Sequence, residues 1–378
     1  MALELTQQLV RLGIETHICC IESHGRLASE VTTRGLRVIS LNKGLGFSFS
    51  TISALNKLIK GGGYTIVHTH NPLAHFYGTV AAASVMGCGV IHTKHQMRRQ
   101  QSWRQLLLSR IATRLSQFIV GVSAMVTDSA LGELKVKPSK VCTIENGLDL
   151  TKYVSLEMPD YHSESEVVIG TVGRLCEIKN QELLIDAFWQ VQKKHPKCRL
   201  HLVGDGEMRT TLERKVADMH LERKVTFIGY CDNVAGALND IDVFVLSSRS
   251  EGMPLVIIEA MAAARPIVST SVGGIPSMIE HRQSGLLTVP ENINDLAEAI
   301  SWMVENPAAA VLLGRQARIV ATKRFSVDRM VKRYLELYAA VSEEDVNIPF
   351  NVSHNIAESP IENSKLESSA KSEGKITQ

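Results

Sequence analysis

Four absences bound what this 378-residue chain can be. No apolar run reaches the roughly 18 to 20 residues that cross a bilayer, which argues against a membrane-spanning helix. The seven cysteines include no C-x-x-C pair and are odd in number, so a zinc ribbon or a disulfide scaffold is a poor fit, and a reduced cytoplasmic chain a good one. The third absence is acid: no Asp or Glu lies between Glu30 and Asp128, where eleven Lys or Arg do. Also missing is a G-x-G-x-x-G at a first strand–helix turn, which disfavours a dinucleotide-dependent oxidoreductase. The start, MALELTQQLVRLG, carries Glu4 and Arg11 on an amphipathic pattern and does not read as a secretory signal.

What is present divides the chain in two. Hydrophobic residues at 44% and charged residues at 21% are enough for a folded core. Residues 1–150 hold 16 Lys and Arg against 8 Asp and Glu, residues 151–343 hold 22 against 25, and residues 344–378 hold 3 against 6. A basic first half beside a mildly acidic second half implies that the first half meets something anionic: nucleic acid, a phosphorylated small molecule or a membrane surface.

Short apolar, β-rich runs at 167–172, 199–203, 225–228, 242–246, 266–269 and 285–289 alternate with helical patterns at 180–195, 254–264 and 292–304. The same rhythm runs through 16–21, 36–41, 65–70, 90–95, 118–122 and 141–144. The expected fold is α/β: two doubly wound Rossmann-like domains facing across a cleft. The expected divisions are a first domain at 1–155, a polar linker at 156–166, a second domain at 167–325, an amphipathic helix at 326–342 and a disordered tail at 343–378. Such domains bind ligands at the carboxyl ends of their strands, so the cleft is the expected site.

Residues able to do chemistry gather at those strand ends. In SEGMPLVIIEA (250–260), Pro254 suits a first helical turn, and the amides of Gly252, Met253 and Leu255 at that positive helix end suit a phosphate. Glu251 at the mouth and Glu259 deeper on the same helix can bracket one ligand, as carboxylates that hold vicinal hydroxyls do. In GTVGRLCEIKNQ (170–181), Arg174 and Lys179 follow the strand and form a candidate diphosphate clamp. Five of the thirteen histidines, His68, His70, His75, His92 and His95, fall within 28 residues. With only Cys88 and no acid nearby, they match no zinc spacing, so no metal is expected. A last feature is the basic stretch 97–115, with Arg98, Arg99, Arg104, Arg110, Arg114 and Trp103. Its leucines are expected to pack on the sheet, and its arginines to steer a lipid-phosphate acceptor or an anionic membrane surface.

The two second-half segments resemble the family 4 retaining glycosyltransferases of the GT-B fold. Glu251 and Glu259 match the E-x7-E motif, and GDGE (204–207), FIGY (227–230) and VGGIP (272–276) add to the match. VHTHNPL (67–73), HTKH (92–95), VSAMVTD (122–128) and IENGLDL (144–150) match more loosely, and the resemblance covers about residues 1–340. It implies a nucleotide-sugar donor in the second domain, with Arg174, Lys179 and the amides of 252–255 on its diphosphate. Glu259 would hold the ribose, and Glu251 the donor sugar. His95 matches the histidine that the family places opposite the donor sugar. The implied enzyme needs no metal or cofactor, and transfers to a sugar or lipid-linked acceptor in polysaccharide or glycolipid synthesis. It works in the cytoplasm or on the inner membrane face, without nucleic acid as a partner.

One departure bears on activity. The family begins with a strand and a Gly-Gly turn, whereas here Met1 already lies on the helix that follows them. The expectation is a first domain lacking its first strand, with Met1 an internal methionine. The rival is a truncated, inactive binding protein.

Overall fold

The computed structural model describes residues 1–23, 28–96, 102–160 and 166–342. The first half contains β1 (Ile18–Cys20), β2 (Val38–Ser40), β3 (Ile66–Thr69), β4 (Gly89–Lys94), β5 (Phe118–Gly121) and β6 (Val141–Thr143). The second contains β7 (Val168–Val172), β8 (Arg199–Val203), β9 (Val225–Gly229), β10 (Val243–Leu246), β11 (Ile267–Thr270) and β12 (Leu286–Thr288). All pairings between these strands are parallel. The α/β reading of two doubly wound halves therefore holds.

The second half is one sheet of six strands in the order β12-β11-β10-β7-β8-β9. Helices cover both faces, so β10 (VFVL) and β11 (IVST) are buried at every position, which is why they read as unbroken runs rather than alternations. The strand order reverses between β7 and β10, and the loops after these two strands open onto the same crevice. Those loops carry the two strongest sequence motifs.

The first-half sheet is split. Strands β3-β4-β5-β6 form one sheet, β1-β2 form another, and β1 does not pair with β3. Every residue of β1 and β2 is only half-buried, whereas β4 is buried at all positions but Lys94.

The halves are tied together by the last helix and where the chain crosses between them. The helix Val327–Ser342 returns from the second half to the first, placing Met330, Tyr334 and Leu337 against Ile91, Val120 and Ile144 and against Leu5 and Leu9 of the helix Ala2–Arg11. Where the chain crosses, Leu148 N–H donates to the Phe325 carbonyl, and Val327 N–H to the Leu148 carbonyl. The expected linker is also held at its start: Arg318 donates to the Leu156 carbonyl at 2.8 Å, and the buried Arg265 to that of Glu157. Residues 161–165 of that linker and the whole tail from 343 lie outside the described residues.

One expectation is overturned. The helix Trp103–Leu115 starts at a capping box in which the Ser102 hydroxyl accepts from Gln105 N–H. Its leucines do not pack on the sheet as a set. Leu106 joins the cluster of Ile119, Ala130 and Leu134, but Leu107, Leu108, Ile111 and Leu115 are exposed. Ala112 and Thr113 occupy the buried face instead, and small side chains there let the helix lie close to its neighbours.

Candidate active site

The site is assembled by backbone contacts before side chains matter. After β7, Gly173 N–H donates to the Val203 carbonyl, Leu175 N–H to that of Asp205, and Met208 N–H to that of Leu175. The GDGE turn therefore braces the Arg174 loop. After β10, Arg249 N–H donates to the Ile178 carbonyl, and the Ser247 hydroxyl to that of Asn180 at 2.9 Å. These bonds bring the two motif loops, more than 70 residues apart in sequence, side by side.

Lys179 and Glu251 meet as a result. The Lys179 Nζ lies 2.6 Å from Glu251 Oε1, which also accepts from the Ser248 hydroxyl at 2.7 Å. Their side chains are only 21% and 10% exposed, so this is a sheltered ion pair, stronger than one in open water. Arg174 goes elsewhere, pairing at 2.9 Å with Glu207 of the GDGE turn in a fully solvated position. The helix Leu255–Ala262 begins directly after Pro254, and no side chain caps its first turn. One turn in, Glu259 accepts from the Tyr153 hydroxyl at 2.6 Å. Burial pushes the Glu259 carboxyl above its ordinary pKa, and burial and the adjacent carboxylate raise the Tyr153 phenol.

The opposite wall comes from the first half, and glycine decides how close it approaches. A Cβ at position 252 would sit 1.8 Å from the His95 carbonyl oxygen. Gly273 has φ +56°, and a Cβ there would meet the Glu251 carbonyl oxygen at 1.7 Å. Ser123, which starts the helix Ala124–Leu134, lies against Gly274. Asn146 donates from Nδ2 to the Met253 carbonyl at 3.0 Å. The loosely matching segments HTKH, VSAMVTD and IENGLDL are thus the parts of the first half that touch the second-half motif loops.

His95 follows β4, and its ring turns toward His70, with Nε2 3.2 Å from His70 Nδ1. One ring must donate and the other accept, so the pair holds a proton between two neutral imidazoles. Burial lowers the pKa of His95 to about 4 and those of His68 and His75 to about 3. His68 bonds Tyr338 and Thr93, each at 2.7 Å, while His75 stacks on His92 with centroids 3.8 Å apart. His70, Asn71, His92, Thr93 and His95 line a cavity of about 260 Å³. A second cavity of about 1080 Å³ opens between the halves, lined by Ser129 and Glu133 on one side and Arg249, Ser250 and Gly273 on the other. Among the described residues, no three His, Cys, Asp or Glu are grouped so as to hold a metal.

The structure brings together Lys179, Glu251, Gly252, Met253, Pro254 and Leu255, and sets the backbone of His95 against them. It separates Arg174, which faces Glu207, and leaves Arg104 on the surface helix over the Trp103 ring at 5.3 Å. Arg98 and Arg99 lie outside the described residues. Sequence reasoning did not single out Tyr153, Ser248 or Asn146, and it grouped His70 with the clustered histidines without pairing it to His95. Asn146 lies within a quoted segment and Ser248 three residues before Glu251, but nothing local marks Tyr153 as the partner of Glu259.

The family model described as Glycosyltransferase Family 4 matches residues 1–152, and that described as Glycosyl transferases group 1 matches residues 158–320. The chain is 30% identical over 196 residues to a poly(ribitol-phosphate) alpha-N-acetylglucosaminyltransferase of Staphylococcus aureus, covering 52% of this chain but only 40% of that one. It is 26% identical to the N-acetyl-alpha-D-glucosaminyl L-malate synthase of Bacillus anthracis over 91% of this chain and 94% of that one. It shares its fold with the Anabaena protein HepE, crystallised with UDP-glucose, at a TM-score of 0.79 and 20% identity over 90% of this chain and 94% of the other. With a family 4 domain followed by a group 1 domain, and a fold shared along nearly its whole described length, the chain belongs to the GT-B glycosyltransferases of family 4.

Proposed function

We propose that this chain transfers a sugar from a nucleoside-diphosphate sugar to an acceptor hydroxyl with retention at the anomeric carbon, in the assembly of a surface polysaccharide or glycolipid. The observation that carries the reading is the sheltered Lys179–Glu251 pair at the strand-order reversal. An arriving diphosphate competes for Lys179 Nζ, and that releases the Glu251 carboxylate to accept from hydroxyls of the donor sugar. Arg174 swings from the solvated Glu207 to the same diphosphate, and the amide end of the helix Leu255–Ala262 adds positive charge. Glu259, oriented by Tyr153, holds the ribose hydroxyls, and His95 faces the sugar from across the contact at Gly252.

These groups do their work at the leaving oxygen. As the bond from anomeric carbon to phosphate oxygen breaks, its electron pair stays with the nucleoside diphosphate, where Lys179, Arg174 and the helix amides stabilise it in place of a metal. The acceptor oxygen bonds the anomeric carbon from the same face and passes its proton to the departing phosphate. The names of two relatives, poly(ribitol-phosphate) and L-malate, are those of anionic acceptors, which agrees with a first half free of acid from residue 31 to residue 127.

The test is a donor screen on the purified chain. UDP or GDP should raise the thermal midpoint and NAD should not. NMR of the product from the matching sugar nucleotide should give the donor's anomeric configuration. Stabilisation by NAD alone would instead favour an oxidoreductase, and an inverted product would reject retention. Nucleotide binding without hydrolysis or transfer of any donor would leave a binding protein.

A further inference from the structure

We infer that the outward face of the helix Trp103–Leu115 is a docking surface for an anionic lipid bilayer. At about 100° of rotation per residue, Trp103, Leu107, Leu108, Ile111 and Leu115 fall within one arc of about 140°, together with Arg104 and Arg114. All five apolar side chains are exposed, between 38% and 69%, although residues of this size ordinarily seek the core. The opposite face is satisfied by protein: Leu106 packs with Ile119 and Leu134, and Ala112 and Thr113 are buried. The exposed arc is therefore a second apolar face that the fold does not use.

Charge selects the occupant. The helix contains no Asp or Glu, and none occurs anywhere from residue 31 to residue 127. An apolar stripe with two arginines set within it, and no acid on the helix to repel phosphate, matches a surface of phosphate headgroups over acyl chains. Trp103 at the first turn has the amphipathic ring that settles at headgroup level. Arginine stems can lie along the apolar stripe and extend their guanidinium groups to phosphates. The helix is about 20 Å long, enough to lie in the headgroup plane and too short to cross it. The inference stands on this face alone and not on the sugar-transfer reading.

The experiment is co-sedimentation of the full chain with vesicles of phosphatidylcholine alone, or of phosphatidylcholine with one third phosphatidylglycerol. Wild-type protein should pellet with the anionic vesicles and remain in solution with the neutral ones, and added salt should release it. L107Q/I111Q should lower partitioning at least about tenfold, with its circular dichroism spectrum unchanged because both side chains lie on the exposed face. Removing one charge, as in R114Q, should weaken partitioning about fivefold. Failure of wild type to pellet with anionic vesicles, or equal pelleting of L107Q/I111Q, would overturn the inference. So would a wild-type dimer in gel filtration that L107Q/I111Q converts to monomer, because the face would then join two copies of the chain.

Discussion

The two halves of this glycosyltransferase use one architecture for different ends. The second half is a single six-stranded sheet whose strands β10 and β11 are fully buried, and its candidate site residues Lys179 and Glu251 sit on loops braced by backbone hydrogen bonds. The first half has a divided sheet, a stack of neutral buried histidines, no acid along most of its length and an apolar helix face left in solvent. In the proposed reaction, the second-half loops at the strand-order reversal would hold the diphosphate in fixed geometry, and the looser, acid-poor first half would meet the acceptor. Between them lies a contact set by glycine, where Gly252 admits the His95 carbonyl.

That contrast can be broken, beginning with the largest expected effect. Lys179→Ala or Glu251→Ala removes one member of the sheltered pair and should lower kcat about 10² to 10³-fold in a donor-saturated assay. Equal turnover in both variants would move the chemistry elsewhere. Gly252→Ala attacks the boundary. A methyl group cannot fit 1.8 Å from a carbonyl oxygen, so the halves must separate. Displacement of that order should cost about 10²-fold in kcat while both halves remain folded by circular dichroism.

The histidine stack should make the first half the more acid-sensitive of the two, since the second half holds only His201 with a pKa lowered by burial among its described histidines. Burial holds the folded pKa values of His68, His75 and His95 at about 3 to 4, below the ordinary 6.5. Below pH 6.5 the unfolded chain binds more protons than the folded one, so stability complete above 6.5 is lost progressively as pH falls toward 3 to 4. Each histidine can contribute up to about 2 kcal/mol of loss between pH 6.5 and 5. Thermal midpoints across that range should fall, and His75→Gln should flatten the slope.

Tyr153→Phe removes one hydrogen bond to a half-buried carboxylate and should raise the donor KM about tenfold with kcat nearly unchanged. The smallest effect belongs to metal removal: turnover should be the same with and without EDTA. Restoration of lost activity by added Mg²⁺ would show that the cations at the helix end do not suffice.

Much of the donor side was legible in sequence because its signals are local. Gly-Met-Pro before an apolar helical run sets a helix start, and a strand run followed by Gly-Arg sets a loop. Glu251, Glu259 and Lys179 could therefore be placed on their elements. Arg174 was less legible, because a solvated guanidinium takes whichever carboxylate is nearest, here Glu207 of a turn 33 residues away. The surface helix misled for a similar reason. A leucine-rich pattern says that an apolar face exists, but not which face the neighbouring elements will cover, and small residues, Ala112 and Thr113, took the buried side.

By itself the sequence determined the strand–helix alternation, the parallel sheets and the identity of the motif loops, since each follows from periodicity and backbone preference within a few residues. Only the tertiary structure decided that Tyr153 orients Glu259, that His70 pairs with His95, and that the last helix seals the first half through Tyr334 and Tyr338. Those contacts join residues separated by as few as 25 and as many as 270 positions. Nothing in a local pattern encodes which distant surfaces exclude water together. That is settled when the halves close and each buried polar group must find a partner.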